Sequence, residues 1–206
     1  MYARKNNGKK ILAVVLAVML LMLCAVGGTL AWLSAQSEAV TNTFSVGNIT
    51  IELWEHELKD GQLDMNSEVT ANTGYKIVPG ATQGKDPFVR VKETSEKCYV
   101  YVCVDNALGT NVTYNIDEFD WTEIPVTDTT KKLYRFDEIL DASAGDVTET
   151  VFSKITYSGD ITEETIGALD GLKITINAFA HQAERTDMPT ADAAARAHFG
   201  LTAANS

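Results

Sequence analysis

Residues Cys98 to Val104 read CYVYVCV, a run that no charged or amide side chain interrupts. A half-buried strand alternates apolar and polar side chains because its two faces meet different surroundings. The lack of alternation predicts a central strand with both faces covered. Cys98 and Cys103 are five residues apart, so a regular strand points their side chains to opposite faces. We therefore expect two buried free thiols, with a bridge to another molecule as the alternative.

Further strand patterns lie on both sides of this run. They cover residues 44–46, 49–53, 88–92, 112–116, 133–136, 150–157 and 172–181. In the last of them, one face carries Ile174, Ile176, Ala178 and Ala180. Pro79-Gly80 suits the centre of a type II turn. Several strands at regular spacing with turn signals between them predict an all-β fold, an antiparallel β-sandwich over residues 44–185.

Helical signals are few and short. The segments Asp137–Ala142 and Thr162–Ala168 each have the pattern of a single helical turn. The best candidate is Thr190–Phe199, with Thr190 as its N-cap and Asp192 in its first turn. We therefore expect residues 186–206, the C-terminal tail, to be partly helical.

The first 31 residues have the organisation of a secretory signal peptide. Four basic residues precede the first acidic one, residues 11–26 contain no charge, and small residues precede a cleavage site between Ala31 and Trp32. An apolar helix of that length spans roughly 24 Å, less than the ~30 Å hydrocarbon core. We predict an N-terminal signal-peptide helix that is removed. An uncleaved membrane anchor is the alternative, since apolar character continues through Leu33.

Acidic residues outnumber basic ones, and all of the acidic residues follow the first 31 residues. The whole chain has 28 Asp and Glu against 17 Lys and Arg, a formal net charge of −11. This balance argues against a general nucleic-acid binder, which needs a basic face to displace counterions from phosphate. It suits a soluble exported protein, and membrane contact is expected only through the uncleaved signal peptide.

The sequence shows no catalytic or metal-binding spacing. His56-Glu57-Leu58-Lys59-Asp60 begins like the zinc-protease motif H-E-x-x-H but ends in aspartate, and it follows a strand pattern. The chain lacks G-x-S-x-G and the phosphate-binding glycine loops. The acidic run Asp117–Asp120 lacks the spacing of a calcium loop. We therefore expect a protein that is not an enzyme and has no cofactor or metal.

Several short blocks resemble the TasA/camelysin family of secreted Gram-positive proteins. The strongest are residues 27–33, GGTLAWL, and residues 40–49, VTNTFSVGNI. Weaker matches are VPG at 78–80, KDPFVRV at 85–91, YVYV at 99–102 and AFAHQA at 178–183. The resemblance implies a jelly-roll form of the sandwich and cleavage by a SipW-type signal peptidase. It also implies deposition in the extracellular or biofilm matrix, or on the cell surface.

The resemblance further implies assembly into fibres. In that family the segment freed by signal cleavage adds as a strand to the next subunit, which makes residues 32–43 a candidate donor strand. The candidate assembly residues are Trp32, Leu33, Val40 and Phe44. A disordered leader is the alternative for this segment. Head-to-tail repetition would give an open homopolymer, and other matrix proteins are further candidate partners.

Two other functions stay open as alternatives. The camelysin branch carries a metalloprotease label, which implies a cell-surface zinc endopeptidase, although no catalytic residue can be transferred to this sequence. A monomeric surface module that binds carbohydrate or a host protein is the second alternative. Trp54, Trp121 and Tyr134 could line such a site, but aromatic residues of a sandwich more often lie in its core.

Overall fold

The computed structural model describes residues 48–72, 75–142 and 147–204 of the 206-residue chain. Within these ranges ten strands form three antiparallel sheets. The strands are β1 (Ile51–Lys59), β2 (Gln62–Val69), β3 (Thr82–Gly84), β4 (Phe88–Val91), β5 (Cys98–Asn106), β6 (Val112–Ile116), β7 (Trp121–Ile124), β8 (Lys131–Phe136), β9 (Phe152–Tyr157) and β10 (Ile174–Gln182). The same ranges contain two short α-helices, α1 (Glu163–Ile166) and α2 (Met188–His198). The predicted all-β antiparallel class is confirmed.

The sheets have the orders β2-β1-β4, β10-β5-β8-β7 and β3-β9-β6. Strand β5 lies between β10 and β8, and its residues 98–104 are all buried. Cys98 and the valines of β5 join the main hydrophobic core, whereas Tyr99, Tyr101 and Cys103 join a second cluster on the other face. The predicted central strand is confirmed, and both thiols are free, buried and on opposite faces.

The C-terminal tail explains why the second face of β5 is apolar. Helix α2 lies over this face, and its Ala191 and Ala195 are completely buried in the second cluster. The helix is therefore present where a helix was predicted, but its predicted N-cap is wrong. Asp187 caps it instead, because its carboxylate accepts a 2.9 Å hydrogen bond from the Thr190 N–H and Pro189 favours the first turn.

Two other local predictions have different outcomes. Thr162 caps α1 as the first residue of a capping box, and a 3₁₀ turn follows the helix, so the helical turn predicted there is confirmed. The turn predicted at Asp137–Ala142 is wrong. Leu140 instead forms a β-bridge with Cys98, with both N–H···O distances at 3.0 Å, and this pairing satisfies backbone groups beside the buried end of β5.

The turn at Pro79-Gly80 has the predicted geometry. The Ala81 N–H donates to the Val78 carbonyl at 3.0 Å, and Gly80 has a φ of 73°, as the third residue of a type II turn requires.

Among the described residues, no helix has both the length and the apolar character needed to span a bilayer.

The leader and the segment after it lie outside the described residues. The same is true of the cleavage position at Ala31 and Trp32 and of the assembly candidates Leu33, Val40 and Phe44.

Candidate functional site

Strand β10 has an open edge. It is the outer strand of its sheet and, among the residues that the structure describes, it pairs only with β5. The Ala183 N–H donates to the Lys97 carbonyl at 2.8 Å, and the Ala107 N–H to the Lys173 carbonyl at 3.3 Å. Since bonded and non-bonded pairs alternate in an antiparallel ladder, the odd-numbered residues of β10 bond to β5. The even-numbered residues direct their backbone groups away from β5.

These even-numbered residues carry the predicted apolar face of β10. Their side chains pack against the main core, as the pattern indicated: Ile174, Ile176, Ala178 and Ala180. Their N–H and C=O groups form a row along the outer edge. Such a row is a template on which another strand can pair.

A cavity of about 670 Å³ lies beside this edge. Its walls come from β1, β9, α1, the turn after α1 and the start of β10. Much of the lining is aliphatic: Leu53, Ile77, Ile155, Ile166, Leu169 and Ile174. In strand addition, backbone hydrogen bonds supply affinity and pockets for alternate side chains supply specificity. An open edge next to an apolar cavity offers both.

One end of the cavity is polar. Lys85 Nζ donates to Glu55 Oε2 at 2.6 Å, and the Asn72 backbone N–H donates to Glu55 Oε1 at 2.8 Å. The Tyr75 hydroxyl lies 3.4 Å from the same Oε2 atom. Glu55 and Lys85 are only 5% and 8% exposed, so water solvates neither side chain well and each charge is compensated mainly by the other. Burial, and then the nearby Glu55 carboxylate, raises the pKa of Tyr75, so its hydroxyl stays protonated and can donate.

His56 lies next to this polar end. Asp86 accepts a 3.0 Å hydrogen bond from the His56 backbone N–H and contacts the ring Nδ1 at 2.6 Å. His56 belongs to β1, and Asp60 follows in the hairpin turn with a φ of 50°, so the segment has strand and turn geometry and not that of a helical zinc motif. In the described ranges, no group of three or more His, Cys, Asp or Glu side chains is placed to hold a metal ion.

The three aromatic residues singled out in the sequence divide between two places. Trp54 lines the cavity beside β10. Trp121 and Tyr134 lie at a different groove, where they are 1% and 4% exposed and pack into the main core. The expectation that sandwich aromatics lie mostly in the core therefore holds for these two.

Sequence patterns did not reveal the polar end of the cavity. Glu55 lies in β1, Asn72 and Tyr75 follow β2, and Lys85 follows β3, so no local spacing marks these four residues. The only signal was Lys85 and Asp86 directly before a buried strand, in the block that resembles the family. Comparison of the chain with protein-family models, with curated proteins and with solved structures finds no match.

Proposed function

We propose that this protein is a secreted structural subunit of an extracellular or biofilm matrix. After a SipW-type peptidase cleaves between Ala31 and Trp32, residues 32–43 of one copy add as a strand to β10 of the next. The observation that carries the proposal is the open edge of β10 beside an apolar cavity of about 670 Å³. In this proposal the sheets form a jelly-roll sandwich, and the protein has no catalytic role.

The dimensions of donor and acceptor support this pairing. Strand β10 has 9 residues, which at ~3.3 Å per residue is roughly 30 Å of edge. Residues 32–43 could reach roughly 40 Å when extended, enough to cover that edge. Alternate donor side chains would face the cavity side of the sheet. Trp32 and Val40 share one face of an extended donor and Leu33 lies on the other, so the register decides which of these apolar candidates can enter the cavity.

The same arrangement accounts for a polymer. The donor and the acceptor are different parts of the chain, so each added copy leaves a new acceptor free. Such a head-to-tail contact forms an open filament when the rotation between copies does not close a ring. In this proposal the partners are further copies of the same chain, with other matrix proteins as optional partners. The protein is exported from a Gram-positive cell and assembles outside it.

Two matched forms of the protein test the proposal, one beginning at Trp32 and the other at Phe44. Each is purified as a monomer and followed by light scattering and negative-stain microscopy. We expect fibres from the longer form only, because the shorter one lacks the donor. Monomers from both forms, or equal fibres from both, would reject strand addition by residues 32–43.

A further inference from the structure

A second groove lies at the opposite edge of the four-stranded sheet from β10. It has a volume of about 700 Å³ and runs between β6 on one side and β7 and β8 on the other. None of its lining residues takes part in the β10 cavity. The groove is therefore a separate site from the one proposed for strand addition.

Aromatic rings held by the core form the floor of this groove. Tyr114 is partly exposed, and its ring packs on Phe152 with the centroids 5.0 Å apart. The buried Trp121 also lines the groove, and its ring packs on Phe136 with the centroids 5.2 Å apart. Because packing fixes these rings, a ligand that stacks on Tyr114 would lose little free energy in ordering them.

Two phenol groups add hydrogen-bonding capacity to the floor. The hydroxyls of Tyr114 and Tyr134 are 3.4 Å apart. One hydrogen bond between them uses one O–H and one lone pair, so the pair keeps one O–H donor and several lone pairs for a ligand. Burial raises the pKa of both phenols, which keeps both hydroxyls protonated.

The rim of the groove is polar but carries little net charge. Lys132 Nζ lies 2.8 Å from Glu123 Oε1, and both side chains are about half exposed. Glu118 is the one further charged residue of the lining, which leaves a formal charge of −1. Three threonines of the rim have hydroxyls without a hydrogen-bond partner in the described part of the chain: Thr110, Thr113 and Thr129.

This lining matches one class of ligand better than others. A hexopyranose ring presents a C–H face that can stack on an aromatic ring and hydroxyls that both donate and accept. An anionic ligand is disfavoured because Glu118 and Glu123 outnumber Lys132, and a purely apolar ligand would leave the threonine rim unpaired. We propose that the groove between β6 and β7 binds an uncharged chain of hexopyranose sugars.

Nuclear magnetic resonance titration tests this site directly. The form beginning at Trp32, purified as a monomer, is labelled with ¹⁵N and titrated to about 10 mM with cellohexaose, N-acetylated chitohexaose or maltohexaose. A hexamer of galacturonic acid serves as the anionic comparison. We expect amide shifts confined to residues 106–134 for at least one neutral oligomer, with weaker or no shifts for the acid.

Variants separate a binding role from a structural one. Tyr114→Ala should weaken binding by roughly tenfold, and Tyr114→Phe, which keeps the ring, by only a few-fold. Lys173→Ala, in the other cavity, should bind like the parent. The proposal fails if none of the neutral oligomers shifts the groove amides, if the shifts lie elsewhere, or if the acid binds more tightly. It also fails if a folded Tyr114→Phe variant loses as much affinity as Tyr114→Ala.

Discussion

Lys85 donates to Glu55 across 2.6 Å although both side chains are almost completely buried. The pair joins β1 to the residues just before β4 and forms the polar end of the cavity beside β10. Removing one member of a buried ion pair leaves a charge without compensation and typically costs about 3–5 kcal/mol, whereas apolar replacement of both is often tolerated.

We therefore expect Lys85→Met to lower the free energy of unfolding by about 3 kcal/mol or more, because it leaves the buried Glu55 carboxylate without its cationic partner. The double variant Glu55→Leu/Lys85→Met should regain most of that loss. Urea unfolding of the parent, of Lys85→Met, of Glu55→Leu and of the double variant measures the difference. A double variant that is as unstable as the sum of its single changes would show that the pair does not act as a unit.

Cys98 and Cys103 should be inert towards thiol reagents in the folded protein. Burial raises the pKa of each thiol to about 11, and the thiolate is the reactive form. In a form beginning at Trp32, which has no other cysteine, we expect no reaction with a disulfide reagent at about pH 8 until denaturant is added. Rapid reaction of the native protein would contradict the burial.

The same thiols give a dependence of stability on pH. Folding favours the neutral thiol, so its contribution is complete below the unfolded pKa of about 8.5 and is lost as the pH rises towards about 11. The expected result is a fall of the unfolding midpoint over this alkaline range. The variant Cys98→Ala/Cys103→Ala should show a smaller fall.

The Arg135–Asp192 contact should hold α2 on the second face of β5, the face that carries Tyr99, Tyr101 and Cys103. Arg135 Nη1 lies 3.0 Å from both carboxylate oxygens of Asp192, and the Tyr101 hydroxyl donates to the same carboxylate at 2.9 Å. Asp192→Ala leaves a buried guanidinium with fewer partners, at a cost of about 1–3 kcal/mol. We expect faster amide exchange in α2 and faster proteolysis near residue 186, which the exposed control Asp170→Ala should not show.

Charge repulsion should oppose the proposed polymerisation. The chain has a net charge of −11, and removal of the basic leader makes the remainder more acidic. At about 0.15 M salt the Debye length is about 8 Å, against about 30 Å at 0.01 M, so salt screens repulsion between subunits. Light scattering of the form beginning at Trp32 should show faster assembly at the higher ionic strength. Slower assembly there would indicate that ion pairs, and not backbone pairing, hold the subunits together.

The sequence predicted those strands and helices whose pattern of apolar and polar residues fits only one kind of element. The run CYVYVCV required cover on both faces, and the core and α2 supply it. Strand β2 was missed because its apolar and polar residues do not alternate with burial: Met65 is exposed, whereas Asp64 and Ser67 are half-buried. Strand β7 was missed because its 4 residues, Trp121–Ile124, are too few for a pattern. The polar end of the cavity could not be predicted, since Glu55 and Lys85 meet only through the tertiary fold.

A single substitution on the outer edge of β10 tests whether that edge accepts a strand. The Ala178 N–H points away from β5, so Ala178→Pro removes an outward donor without breaking the β5–β10 ladder, and proline is tolerated on an edge strand in that orientation. Ala178→Ser keeps the N–H and serves as the matched control. Both changes are made in the form beginning at Trp32, and folding is checked by circular dichroism.

Fibre growth by light scattering and negative-stain microscopy is the measurement. We expect the serine variant to form fibres like the parent and the folded proline variant to stay monomeric. Fibres of the proline variant at the parental rate would show that the outer edge of β10 is not the acceptor.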